Sequence, residues 1–145
     1  MFRHILLPSD GSPLTGAAVR KGIQFAKTIR AKVTGLCVIP KLRYLSYDSE
    51  LSAEIRKRIA EACQAQAEKS MSAIIEAARE AGVGYDTAYV TSDYPYDAIA
   101  KAAEQKACDL IIMASHGRRG VEGLLLGSET QKVLTHSKIP VLVYH

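Results

Sequence analysis

Arg3-His4-Ile5-Leu6-Leu7-Pro8-Ser9-Asp10-Gly11-Ser12-Pro13 is the stretch that decides how the rest of this chain is read. Ile5-Leu6-Leu7 form the apolar centre of a short buried strand over Arg3 to Pro8. Ser9 to Pro13 then switch to turn chemistry. Ser12 stands at an N-cap position and Pro13 at the first helical one. A continuously apolar strand that runs at once into a helix predicts a parallel sheet covered on both faces.

Working outward, the helix is expected to reach about Ile29. Leu14, Ala17, Ala18, Phe25 and Ile29 share one of its faces. Gly22 on that face costs helix propensity and lets the helix approach the sheet closely. Lys32 to Ile39 reads as a second strand, ended by Pro40, and Lys41 to Tyr47 as a loop. Asp48 to Ala81 is a long helical pattern striped by Leu51, Ile55, Ile59, Ala62, Met71, Ile74, Ile75 and Ala78, with Gly82 as its stop. Its length leaves room for a break near the middle. Gly84 to Val90 reads as a strand, and Asp93 as the cap of a helix that carries Pro95 and buries Ala98, Ile99, Ala102 and Ala103. Asp109 to Ala114 is a strongly apolar strand. A glycine-rich loop runs from Ser115 to Gly127, Ser128 starts a helix with Gln131 as a capping-box partner, and Pro140 to Tyr144 is the last strand. The order β-α-β-α-β-α-β-α-β predicts one doubly wound α/β/α sandwich spanning residues 1–145.

Composition excludes several classes. Of 145 residues, 48% are hydrophobic and 23% charged, which fits a globular domain rather than a disordered chain. The surplus of 19 basic over 15 acidic residues is too small to indicate nucleic acid. Arg56-Lys57-Arg58 reads as a solvated helix face. Cys37, Cys63 and Cys108 form no CxxC pair and no metal-ligand spacing, as expected for thiols in a reducing compartment. No apolar run reaches the roughly 18–20 residues of a membrane span, and the N-terminus lacks the pattern of a secretory signal. A cytoplasmic location is expected.

In doubly wound sheets ligands bind beyond the carboxyl ends of the strands, where the strand order reverses. If the first and fourth strands are neighbours, Pro8-Ser9-Asp10 and the loop from Ala114 to Ser128 meet there. Gly117, Gly120, Gly123 and Gly127 allow that loop to curl, and it ends in a helix N-terminus whose amides and dipole favour phosphate. Ser128, Thr130, Arg118 and Arg119 add donors and charge. The same glycines also suit a loop with no ligand. Asp10 either serves a ribose or metal, or caps its turn. His116 stands without a nucleophile or acid partner spaced to work with it, so no catalytic residue is expected. Tyr44, Tyr47, Tyr94 and Tyr96 wall a pocket or simply sit in surface loops.

The opening Ile5 to Ser12, the block Cys108 to Gly120, and the closing Leu124-Leu125-Leu126-Gly127-Ser128 and Ile139 to Val143 resemble the universal stress protein family over nearly the whole chain. The resemblance implies strand order 3-2-1-4-5 and an adenine nucleotide, ATP before ADP or AMP, with Mg2+ as its accompanying ion. Nucleotide-binding members carry glycine, two residues, glycine, nine residues, then glycine with serine or threonine. Gly117 and Gly127-Ser128 match that pattern, and Ala114 replaces the first glycine. By the same resemblance Pro8, Ser9 and Asp10 line the adenine and ribose side, and Val38 packs on the base. Ala114, Gly117, Arg118, Gly127, Ser128, Glu129 and Thr130 surround ribose and phosphates, with the Glu129 charge opposing a nearby phosphate. The last strand, Val141 to Tyr144, is an apolar edge that implies a homodimer. The function implied is a stress-response regulatory module with a protein partner, without nucleic acid or membrane. The alternatives are a nucleotide-free dimeric interaction protein and a slow ATPase. The His-x-Gly-His and Ser-Gly-Gly-x-Asp-Ser signatures of related adenylyl-transfer and pyrophosphatase-type enzymes are absent.

Overall fold

The computed structural model describes residues 1–42, 52–117 and 126–145. Among these, the strands are β1 (His4–Pro8), β2 (Lys32–Ile39), β3 (Tyr85–Thr91), β4 (Leu110–Ala114) and β5 (Val141–Tyr144). The helices are α1 (Pro13–Ile29), α2 (Ala53–Ala81), α3 (Pro95–Gln105) and α4 (Ser128–His136). The sheet order is β3-β2-β1-β4-β5 and its strand pairs are parallel. β1 therefore lies between β2 and β4, the order that the family resemblance implies. Its register pairs Ile5 with Val33 on one side and with Leu110 on the other.

The central strand is apolar on both faces because both are covered. Ile5 and Leu7 pack with Val33, Ile112, Ile23 and Met71 beneath α1 and α2. Leu6 packs with Leu36, Ile111, Ile99 and Val133 beneath α3 and α4. Ile5, Leu6 and Leu7 are completely buried. Gly22 does what its place on the apolar face predicts. A Cβ built there would lie 2.6 Å from Leu7 Cδ2, so the α1 backbone rests directly on β1.

Local signals explain most helix ends. The Ser12 hydroxyl accepts from the Thr15 N–H at 3.3 Å, and Pro13 follows it in the first turn. The Ser52 hydroxyl accepts from the Ile55 N–H at 3.2 Å. Gly82 closes α2 in the left-handed region at φ 71°.

Four expectations need correction. Asp93 does not cap α3: its carboxylate accepts from the Lys41 N–H at 2.9 Å, and Tyr94 is the N-cap. The capping box at Ser128 does not form. Gly127 is the N-cap of α4, and the Gln131 side chain donates to the Leu126 carbonyl at 3.0 Å. Asp109 precedes β4 rather than belonging to it; its N–H donates to the His4 carbonyl at 2.9 Å and its carboxylate accepts from the Arg3 and His4 N–H groups. α2 is unbroken from Ala53 to Ala81, and its apolar stripe is buried only from Ala67 onward. Ile55 is 45% exposed, since the first half of α2 lies away from the sheet core. Leu51, Tyr44 and Tyr47 fall outside the described residues.

A polar cluster sits at the amino end of the sheet. His4 is buried, and its Nε2 lies 2.6 Å from the Thr34 hydroxyl. Burial lowers the His4 pKa, and Lys32 lowers it further. Asp109, Asp86 and the Ala107 carbonyl pull the other way and lose. The native state thus holds His4 neutral while the unfolded chain takes up a proton near the ordinary histidine value of about 6.5. Between that value and the lower native one, the unfolded state binds more protons, so stability falls as pH falls through this window. Asp86 and Asp109 act at lower pH. The Thr87 N–H lowers the first. At the second, burial opposes but the His4 and Arg3 N–H groups prevail, so its pKa is also lowered. Their contribution is present above the ordinary carboxylate range and is lost below it. Urea midpoints of the wild type are expected to drop between pH 7 and pH 5, and His4→Gln is expected to flatten that drop. An unchanged slope in His4→Gln would assign the acid sensitivity to another group.

Candidate functional site

The reversal of strand order lies between β1 and β4, and the chain leaves both strands at the same rim. The Ser9 N–H donates to the Leu36 carbonyl at 2.9 Å, which continues the sheet one residue past Pro8. Asp10 follows in a tight turn. Its Oδ1 accepts from the Ser12 N–H at 2.9 Å and from the Thr15 hydroxyl at 2.7 Å. Ser12 and Thr15 hydroxyls are 2.5 Å apart, so cap and turn form one network. Asp10 therefore performs the turn role the sequence allowed, and that role aims its carboxylate across the rim.

Across from it, β4 runs out into Ser115-His116-Gly117. A Cβ built on Gly117 would overlap Asp10 Oδ2, so the two segments touch and any larger residue would displace the Asp10 carboxylate. The geometric condition for a shared site is met. Pro8 is buried, Ser9 half-buried and Asp10 exposed. Val38 is half-buried, two residues past Leu36 toward this rim, and packs against the α3 side of the core.

α4 is fastened directly above the end of β4. The Gly127 N–H donates to the Ser115 carbonyl at 2.6 Å, and the buried Thr130 hydroxyl donates to the Ala114 carbonyl at 3.0 Å. Thr130 is thus occupied in placing the helix. Ala114, the alanine in a glycine position, is 5% exposed, so its methyl is packed within the protein. Ser128 is exposed at the first helical position. Among the described residues no side chain caps the α4 N-terminus. Arg118, Arg119, Gly120 and Gly123 lie outside the described residues.

Glu129 has a partner that the sequence does not reveal. Its Oε2 accepts from the Tyr96 N–H at 3.0 Å, in the first turn of α3, and Lys132 Nζ stands 3.5 Å from Oε1. Tyr96 packs its ring on His136 at 5.0 Å, while Tyr94 is 63% exposed. Two supports were not foreseen. Thr15 orients Asp10, and buried Ser115 supplies the carbonyl that seats Gly127. Thr15 carried a signal, since it stands three residues after the Ser12 cap; Ser115 carried none. An open groove of about 430 Å³ runs between α1 and α2 and reaches Ser9, Gly11 and Ser12 at one end.

Among the described residues, reactive groups are scarce around this rim. His116 Nδ1 lies 3.2 Å from the Ser115 hydroxyl. Burial pushes the Cys37 thiol up to about 11, helped by the Asp10 charge, and burial likewise pushes Cys108, at the opposite end of the sheet, to about 11. Neither is a thiolate at neutral pH. No group of three metal-ligating side chains occurs among the described residues. No described helix is long and apolar enough to cross a membrane.

The model of the universal stress protein family matches residues 1–145. Universal stress protein MJ0531 of Methanocaldococcus jannaschii is 30% identical over 143 residues, covering 99% of this chain and 82% of the relative. The solved structure of protein MJ0577 from the same organism superposes with a TM-score of 0.77 at 30% identity, covering 99% of this chain and 95% of that one. A universal stress protein solved in complex with cAMP gives a TM-score of 0.73 at 24% identity, covering 99% and 97% of the two chains, which speaks to the fold. With its strand order, its β1–β4 rim and a match from first residue to last, the chain belongs to the universal stress protein family.

Proposed function

We propose that this chain is a stress-response regulatory module that binds an adenine nucleotide in the crevice between β1 and β4. One observation carries the reading. Ser12 serves the start of α1, Ser52 that of α2 and Glu129 that of α3, whereas α4 has no side-chain acceptor among the described residues. Its first N–H groups stand at the rim where Asp10 and Gly117 meet, and a phosphate satisfies such groups while the helix dipole favours its charge. Ser128 adds a hydroxyl to the phosphates. Pro8, Ser9, Asp10 and Val38 take the base and ribose. The family relative solved with cAMP supports an adenine ligand. ATP, ADP and AMP share the parts this rim can hold. Mg2+ would arrive with the phosphates, because the described residues offer no ready-made cage for it.

The module binds rather than turns over its ligand. Among the described residues the His116 ring has the Ser115 hydroxyl as its hydrogen-bond partner, and the buried thiols are protonated. β5 ends the sheet, with Leu142 42% exposed on an unpaired edge, which supports homodimer formation through Val141–Tyr144 and a protein partner that senses the liganded state. Calorimetric titration with AMP and with ATP, read beside sedimentation equilibrium of the same sample, tests both parts. Saturable sub-millimolar binding to a dimer is the expected result. The absence of saturable binding below the millimolar range would sink the nucleotide reading, and a monomer at micromolar concentration would sink the dimer.

A further inference from the structure

We propose that Glu129 sets the charge preference of the crevice, so that nucleoside monophosphates bind in preference to di- and triphosphates; this rests on the nucleotide reading above. Glu129 is the second residue of α4, in the turn whose free N–H groups would meet a phosphate. A carboxylate on an ordinary surface helix swings into solvent when an anion approaches. This one is held. The Tyr96 N–H, at the start of α3, donates to Oε2 at 3.0 Å. The carboxylate is thereby fixed between the amino ends of two helices, where it answers the dipole of α3 and stays inside the first turn of α4.

Among the described residues the compensating charge is weak. Lys132 Nζ lies 3.5 Å from Oε1, but the Lys132 and Glu129 side chains are 50% and 40% exposed, so solvent screens the pair. Lys132 also stands over the Tyr96 ring, at 5.4 Å from its centre. His136 stacks on the same ring and adds no partner to the carboxylate.

A first phosphate meets the α4 amides and the helix dipole, which outweigh one fixed carboxylate at a distance. Each further phosphate brings more negative charge without adding helix amides. ATP carries about two more negative charges than AMP, and each is repelled by Glu129 across a partly wet rim. The penalty thus grows with phosphate count, and the crevice grades its ligands by charge.

Glu129→Gln tests this. Glutamine keeps the acceptor for the Tyr96 N–H, so the α3–α4 junction is retained, and a melting curve checks that it is. Affinities for AMP and for ATP are measured by calorimetry on both proteins, without divalent cations, at low salt and at about 0.5 M salt. In the wild type AMP is expected to bind at least as tightly as ATP. In the variant ATP is expected to tighten about fivefold more than AMP does, and high salt is expected to shrink that difference. Equal changes for the two nucleotides, or none, would overturn the charge preference while leaving nucleotide binding intact. If neither nucleotide binds either protein, the nucleotide reading itself fails and the charge preference falls with it.

Discussion

Gly117→Val is expected to lower adenine-nucleotide affinity by roughly 30- to 100-fold, the equivalent of about 2–3 kcal/mol. The reason is the contact between the two loops of the rim. A Cβ at residue 117 occupies the place of Asp10 Oδ2, and with the two further methyl groups of valine either the Asp10 side chain or the backbone at residue 117 must move. If Asp10 yields, it leaves the Ser12 N–H and the Thr15 hydroxyl, which now hold it at 2.9 and 2.7 Å. The β1–α1 turn then loses the carboxylate on the ribose side. If residue 117 yields instead, the run from β4 to α4 shifts, and with it the Ser115 carbonyl on which Gly127 is seated. Either way the two segments to which the proposed reading gives the base and the phosphates no longer meet as they do now. Stability is expected to fall by only about 1–2 kcal/mol, because the contact lies on the exposed rim. Titration of a variant shown by circular dichroism to be folded separates the two effects. Wild-type affinity in Gly117→Val would mean that the ligand does not use the space between these loops.

The largest expected loss of stability comes from the opposite layer of the molecule. Gly22→Val should destabilise the chain by about 3 kcal/mol and lower its melting temperature by roughly 10 °C. The new Cβ would sit 2.6 Å from Leu7 Cδ2, and its added methyls would press toward Ile112, whose Cγ2 and Cδ1 lie 3.6 and 3.7 Å from that Cβ. Leu7 is wholly buried and has no empty space to enter. α1 must therefore lift from β1 and β4, losing contact along the layer formed by Val19, Ile23 and Ala26. Helix propensity works in the other direction, since glycine inside a helix costs up to about 1 kcal/mol relative to alanine. The packing cost exceeds that gain several-fold. Thermal unfolding decides the matter: a melting temperature within a degree or two of wild type would show that α1 tolerates a wider separation from the sheet.

The fold was legible because its signals are local and repeated. Ile5-Leu6-Leu7 and Leu110 to Met113 are apolar without alternation, which only a strand buried on both faces requires. Ser12, Pro13 and Gly82 mark helix ends by chemistry that acts within a few residues. Caps failed where a competing partner came from far along the chain. Asp93 was drawn to Lys41, fifty-two residues away, and Gly127 took the place given to Ser128 because its N–H was claimed by Ser115. The buried stretch of α2 was misjudged for a related reason. Helical spacing shows which residues share a face but not how far the sheet extends beneath them.

Of the candidate site, the residue types and their order belong to the sequence: a carboxylate after β1, small residues after β4, and hydroxyls at the start of α4. Their meeting belongs to the tertiary structure. Asp10 and Gly117 are more than a hundred residues apart, and only the placement of β4 beside β1 brings the Gly117 backbone against the carboxylate. The direction of Glu129 is likewise invisible in one dimension. Its acidity places a charge at a helix start, and packing of α3 on α4 supplies the Tyr96 amide that holds it there. Local propensity selects elements from neighbouring residues, whereas the aim of a charged side chain depends on donors delivered by distant segments, and those are placed only when the layers close.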